Sequence, residues 1–239
     1  MALPLNVGIL VYNYQAIDIV GPTDLLNSSS KAWAKSLRPF IPVEDGVIER
    51  APDFKFYHIG LTDEPVRLLT SNLVITPSTT VDECPELDIL LIGGSAPVTF
   101  QLAEPYANLI RRHVTSGKLT FSTCTGAAVL AASGVLDGKA ATINNIEYSW
   151  ATKKSPCVKW TKERKWIVDG NQWTASGAVA GMDMFAHWIK ENYGLGVLTL
   201  GALGLDYEPR DQNGLYTVLP KRYNGDGKQI CTHYVPVYT

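Results

Sequence analysis

Two features of the sequence predict an α/β fold with a mostly parallel sheet and helices on both faces. Short β-rich runs alternate with helical patterns over the first 194 residues, which is the order a parallel sheet with crossover helices requires. Several of those runs are apolar almost throughout, as strands covered on both faces are.

The elements follow in order. "LNVGILV" (5–11) reads as a first, buried strand, and "IVGPTDLLNSSSKA" (19–32) contains a helix with Pro22 suited to its first turn. "FKFYHIG" (54–60) and "NLVITP" (72–77) read as strands, and "LDILLIGGS" (87–95) as a buried strand ending in paired glycines. "EPYANLIRRHVTSG" (104–117) is an amphipathic helix stopped by Gly117, followed by the strand "KLTFST" (118–123). "VLDGK" (135–139) turns into a short strand, "AATIN" (140–144). In "RKWIVDGNQWTASG" (164–177), Asp169-Gly170 lies between two β-like runs and signals a hairpin. "AVAGMDMFAHWIKENYG" (178–194) is a long helix ended by Gly194. No internal repeat or low-complexity segment occurs. Residues 195–239 show no clear period and are interrupted by Pro209, Pro220 and Pro236. The expectation is one domain over 1–194 and a C-terminal extension, 195–239, packed on that domain or against a second subunit.

Composition narrows the function. The chain of 239 residues is 46% hydrophobic and 18% charged, with a net charge of −2. That balance gives no global drive toward nucleic acid or an anionic membrane, and "KERK" (162–165) reads as solvated surface. No apolar run approaches the roughly 20 residues that span a bilayer. The N-terminus lacks a basic n-region and reads as a strand rather than a signal peptide. Cys84, Cys124, Cys157 and Cys231 are widely spaced, as are His58, His113, His187 and His233. No metal site is expected, and a reducing, cytoplasmic setting is the simplest reading.

The stretch "TFSTCTGAAVLAASG" (120–134) carries the chemistry. Thr120, Phe121 and Thr123 favour a strand, the alanine-rich run after them favours a helix, and Cys124 falls at the corner. Unpaired N–H groups and the helix dipole favour negative charge there, so a cysteine at that corner is expected to have a lowered pKa and high reactivity. The alternative is a buried cysteine serving as a small apolar residue. Two further places lie where an α/β sheet presents ligands. One is "LIGGS", where Gly93 and Gly94 let the backbone approach a ligand. The other is "YQAIDIVGP", where Asp18 among apolar neighbours is either a helix N-cap or a group with a purpose.

Together "IDIVGP", "LLIGG", "CTGAAVLAASGVLDGKAAT" and "ASGAVAGMDM" resemble the DJ-1/PfpI superfamily in order and spacing, over about residues 5–194. The pairing of "DxxGP" with "CTGA" is most similar to its isocyanide hydratase branch and to the amidase-like domains of some AraC-type regulators. The resemblance implies a flavodoxin-like sandwich, a homodimer, no cofactor, and a reactive cysteine on a strained nucleophile elbow. It implies Cys124 as nucleophile, Thr125 as the residue that follows it, and Asp18 as the acid that contacts it. Gly93 or Gly94 and the Thr125 backbone would supply oxyanion-type N–H groups. A carboxyl group near a thiolate in an apolar pocket has a raised pKa and can act as a general acid.

One departure matters. Many relatives have a histidine after the elbow helix where this chain has Asn144, and peptidase- or glutaminase-type relatives have one directly after the cysteine, at Thr125. With neither histidine a Cys–His pair is absent by motif. Asn144 would then bind substrate, or simply be a strand-end amide bonded to backbone. Asp183 and His187 share a helix face at i, i+4 spacing, with Asp183 read as a support near the site. Trp150, Trp160, Trp166 and Trp173 read as core or interface.

The reading is a lyase-like enzyme whose partner is a small-molecule electrophile, not nucleic acid or a membrane. Cys124 adds to an isocyanide, Asp18 supplies a proton to the adjacent atom, and water resolves the adduct to an N-substituted formamide. The alternatives are a glyoxalase- or deglycase-like activity on 2-oxoaldehydes, a specialised-metabolism enzyme reusing the pocket, or a redox sensor in which Cys124 is oxidised to a sulfinate.

Overall fold

The computed structural model describes residues 3–215, 218–219 and 223–230. Its strands and helices run β1 (Leu5–Leu10), α1 (Ile17–Ser28), α2 (Lys31–Ser36), α3 (Asp45–Arg50), β2 (Phe54–Gly60), β3 (Val66–Arg67), β4 (Val74–Ile75), β5 (Thr79–Thr80) and β6 (Ile89–Ile92). They continue α4 (Glu104–Thr115), β7 (Leu119–Thr123), α5 (Gly126–Ala132), β8 (Ala140–Ala141), α6 (Tyr148–Lys154), β9 (Lys159–Trp160), β10 (Trp166–Asp169), β11 (Gln172–Ala175), α7 (Ala178–Tyr193) and α8 (Leu195–Gly204).

A seven-stranded sheet in the order β10-β11-β7-β6-β1-β2-β5 organises the larger of two compact units, drawn from residues 1–22 and 55–181. Pairing is parallel at β6–β1, β7–β6, β11–β7 and β2–β5, and antiparallel at the β10–β11 hairpin, where Asp169 faces Gln172. Flanking helices and a mostly parallel sheet make this the α/β class expected. The central strands β1 and β6 are buried over most of their length, which is why they read as continuous apolar runs.

Chain order fixes where a ligand site can form. The chain goes from β1 to β2 on one side and then returns to β6 on the other. Connections leaving the carboxyl ends of β1 and β6 therefore diverge, and such a switch point is where open α/β sheets bind ligands. Asp18 follows β1, Gly93 and Gly94 follow β6, and Cys124 follows β7, the next strand along.

Helices α3 and α6 have no counterpart in the sequence reading, and two further elements differ from it. The first is α1, which begins at Ile17, so that Pro22 lies inside the helix rather than in its first turn. The second is α8, a helix in a region without a visible period. Its sequence, "LGVLTLGALG", is apolar on every face and buries Val197, Leu198, Leu200 and Ala202, so no polar stripe marks its phase. It belongs to the second unit, drawn from residues 23–54 and from 182 onward. There its Gly196 and Gly201 lie against Val47 of α3 and against Ser29.

Among the described residues no helix is long and apolar enough to cross a membrane, and no cluster of His, Cys, Asp or Glu side chains is placed to hold a metal. Cys84 is half-buried and Cys157 exposed, both as free thiols; Cys231 lies outside the described residues.

Candidate active site

Cys124 joins β7 directly to α5. Its φ of +55° is in the left-handed region, a conformation that costs a side-chain-bearing residue about 1–2 kcal/mol. The surroundings hold it there. Its N–H donates to Ala175 O of the neighbouring strand (3.0 Å), and the next residue, Thr125, is the N-cap of α5. The elbow packs tightly against the end of β6. A Cβ on Gly126 would stand 2.4 Å from Ile92 O, and one on Gly94 would stand 2.5 Å from Thr125 Oγ1 and 2.7 Å from Asp18 Oδ2. Glycine at both places is what lets the three loops meet.

The structure brings all six sequence-predicted residues into one cluster. Asn144 Nδ2 donates to Cys124 Sγ at 3.3 Å, while its Oδ1 accepts from Ile146 N–H (3.0 Å), which fixes the amide's orientation. The Thr125 N–H also bonds the thiol, and its hydroxyl donates to Ser95 O at 2.7 Å. Gly94 N–H donates to Asp18 Oδ2 at 2.8 Å, and Tyr12 OH donates to Gly93 O at 2.6 Å. The Gly94 amide is thus already engaged by Asp18. The thiol is served by Asn144 and the Thr125 N–H.

Asp18 is not an N-cap. Its side chain reaches a backbone amide 76 residues away instead of the start of its own helix. Pro22 assists from within α1. Lacking an N–H, it cannot bond the carbonyl four residues back, and the Asp18 carbonyl accepts the Thr123 hydroxyl at 3.0 Å instead. One residue is therefore tied through its side chain to the β6 loop and through its backbone to the strand that carries Cys124.

The electrostatics correct the sequence expectation for the thiol. Cys124 is only 7% exposed, and burial followed by the negative charge of Asp18 pushes it up to about 11. The bonds from Asn144 and the Thr125 N–H pull in the other direction but do not win. Burial therefore outweighs what the start of α5 offers a thiolate. Asp18 is fully buried, and burial raises it to about 7 against the opposing Gly94 bond. Its Oδ1 is buried without a hydrogen-bond partner.

Sequence reasoning missed Tyr12 and Glu147. The Glu147 charge contributes to raising Cys124; its Oε2 is buried without a hydrogen-bond partner, and its N–H donates to Asn144 O at 3.1 Å. Its place three residues after Asn144 was the available signal. Of the tryptophans, Trp166 is core and Trp173 packs on Phe121 at 5.3 Å between ring centres. Trp150 and Trp160 line a cavity of about 410 Å³ with Ser95, Phe100, Ala128 and Lys154. Asp183 lies in the second unit, where it takes the Tyr207 hydroxyl and the Arg210 N–H.

Known proteins resemble this chain in sequence and in fold. The chain is 29% identical over 211 residues to an isonitrile hydratase of Pseudomonas putida, a match covering 87% of this chain and 80% of that one. It is 26% identical over 125 residues to the HTH-type transcriptional regulator GbdR of Pseudomonas aeruginosa, covering 52% of this chain but 34% of the regulator. The structure superposes on Drosophila melanogaster DJ-1beta with a TM-score of 0.67 at 17% identity, covering 86% of this chain and 99% of that one. The family model described as the DJ-1/PfpI family matches residues 9–191. The match spans most of the chain, and the chain belongs to the DJ-1/PfpI family.

Proposed function

We propose that this chain is a cysteine-dependent hydratase that converts an isocyanide and water to an N-substituted formamide. One observation carries the reading. Because Asp18 Oδ2 accepts the Gly94 N–H, a protonated Asp18 holds its proton on Oδ1, the oxygen with no other partner, in the neighbourhood of the thiol. Asp18 and Cys124 together hold a single proton between about pH 7 and about pH 11. Over that range the form with a neutral acid and a thiolate is one of two tautomers of the same pair.

The steps balance. The Cys124 thiolate forms a bond to the terminal isocyanide carbon, and the Asp18 proton passes to that carbon, giving a thioformimidate. Asp18, now a carboxylate, accepts a proton from water as hydroxide adds to the same carbon, and passes that proton to the nitrogen. The C–S bond then breaks as the hydroxyl oxygen forms the carbonyl and gives its proton to Asp18, so the formamide leaves, the thiolate returns and Asp18 ends with a proton. Asn144 and the Thr125 N–H stabilise the sulfur when it is negative. Similarity to an isonitrile hydratase over most of both chains supports the same reaction. The active form is a homodimer, which sedimentation would test as a mass near twice 26.2 kDa.

The test is formamide production from a panel of isocyanides by wild type and by Cys124→Ser. Turnover that disappears in the variant supports the reading. Absence of turnover by wild type overturns it, and turnover of methylglyoxal alone would identify a glyoxalase-like enzyme. A non-catalytic sensor is the second reading, supported by the similarity to a transcriptional regulator. Its mark would be no turnover together with oxygen added to Cys124 by peroxide.

A further inference from the structure

The peptide bond between Gly93 and Gly94 is the hinge of the site. Its carbonyl belongs to Gly93 and its N–H to Gly94, so Tyr12 OH grips one end at 2.6 Å while Asp18 Oδ2 grips the other at 2.8 Å. The next carbonyl, Gly94 O, accepts Gln15 N–H at 2.8 Å. All three partners follow β1 closely, Tyr12 and Gln15 in the loop after it and Asp18 in the first turn of α1.

A peptide flanked by two glycines has little intrinsic preference for one orientation. If it rotated, its N–H would leave the carboxylate and its carbonyl oxygen would take that place. The Tyr12 hydroxyl opposes that rotation from the carbonyl side. It also polarises the peptide, since a bond accepted at C=O strengthens the bond donated by N–H in a low-dielectric interior. The ring is fixed for the task by Phe100, Tyr14 and Tyr106, with centres at 4.8, 5.8 and 6.2 Å.

We propose that Tyr12 is a positioning residue for the Asp18–Cys124 pair: by holding the Gly93–Gly94 peptide it keeps the Gly94 N–H on Oδ2 and so keeps the acid proton on Oδ1. The inference rests on the reading of Asp18 as the site's acid. The titratable groups electrostatically coupled to Asp18 are Tyr12 and Cys124, and Tyr12 itself stays neutral because burial holds its phenol well above the ordinary range.

A neighbouring tyrosine supplies the control. Tyr106 OH donates to Val11 O at 2.6 Å and also lies 3.2 Å from Ile59 O, buried hydroxyl-to-carbonyl contacts that involve neither Asp18 nor Gly94. The experiment follows Asp18 protonation by infrared difference spectroscopy of the carboxyl and Cys124 ionisation by thiolate absorbance, in wild type, Tyr12→Phe and Tyr106→Phe. Weakening the Gly94 bond removes support for the carboxylate, so Tyr12→Phe should move the lower midpoint upward by about half a pH unit. Tyr106→Phe should leave it in place, although both variants lose a buried hydroxyl. Replacing Tyr12 with 3-fluorotyrosine, a stronger donor that keeps the ring, should move the midpoint downward and answers the question if Tyr12→Phe does not fold. Equal midpoints in the two phenylalanine variants, or no shift with fluorotyrosine, would overturn the proposal. The readout is titration, so a failure to hydrate isocyanides would count against the reaction and not against Tyr12.

Discussion

Asp18 and Asp183 are both fully buried carboxylates, and the chain surrounds them in opposite ways. Around Asp183, in the second unit, donors converge. The Tyr207 hydroxyl and the Arg210 N–H bond its Oδ1, and Arg210 Nε lies 3.6 Å from its Oδ2. Asp18 receives one backbone N–H on one oxygen and none on the other. A buried charge needs compensation. Where compensation is supplied the carboxylate fastens α7 to the segment after α8; where it is withheld burial raises the group to about 7.

Replacing each aspartate by asparagine should separate the two cases. Asp18→Asn keeps the shape but has no acid proton, so isocyanide turnover should fall by about 10²-fold or more with the fold retained in circular dichroism. Turnover within a few-fold of wild type would place Asp18 alongside Asp183 as a structural group. The same variant should lower the Cys124 pKa from about 11, because Asp18's charge is one of its causes.

The pH dependence of stability sharpens the contrast. Asp18 titrates near its ordinary value in the unfolded chain and at about 7 in the folded one, so between those values the folded state binds more protons. Stability should therefore be greatest at acid pH in this respect and decline as pH rises to about 7, by of order a few kcal/mol. Thermal melts across that range should show the decline in wild type and its loss in Asp18→Asn. A flat profile would mean that Asp18 is ionised throughout.

Asp183→Asn should behave differently, costing about 1–3 kcal/mol in denaturant unfolding through the weakened Tyr207 and Arg210 bonds, with turnover per folded molecule unchanged. A smaller effect is expected at Glu147, the carboxylate whose charge also raises Cys124. Glu147→Gln should lower the thiol midpoint by a few tenths, measurable by thiolate absorbance; a rise would reverse the sign assigned to its charge.

Much of this was legible in the chain itself. The apolar runs of β1 and β6, the strand-to-helix change around Cys124, the hairpin signal at Asp169-Gly170 and the amphipathic pattern of α4 are local, and local periodicity follows directly from backbone geometry. Strand ends and the strand-to-helix corner marked Asp18, Gly94 and Cys124 as candidates, and the family resemblance added Asn144. Tertiary structure alone decided what those residues do to one another. It decided that the Asp18 carboxylate reaches Gly94 rather than its own helix, and that Pro22 frees a carbonyl for Thr123. It also decided that Tyr12 holds the far end of the same peptide, and that burial pushes the Cys124 thiol up where its position suggested a lowered pKa. Desolvation and Coulomb interactions depend on which groups a fold brings within a few ångströms, and sequence order does not encode those distances. The helix α8 marks the same boundary from the other side, because an element buried on every face carries no polar stripe by which a sequence could reveal its period.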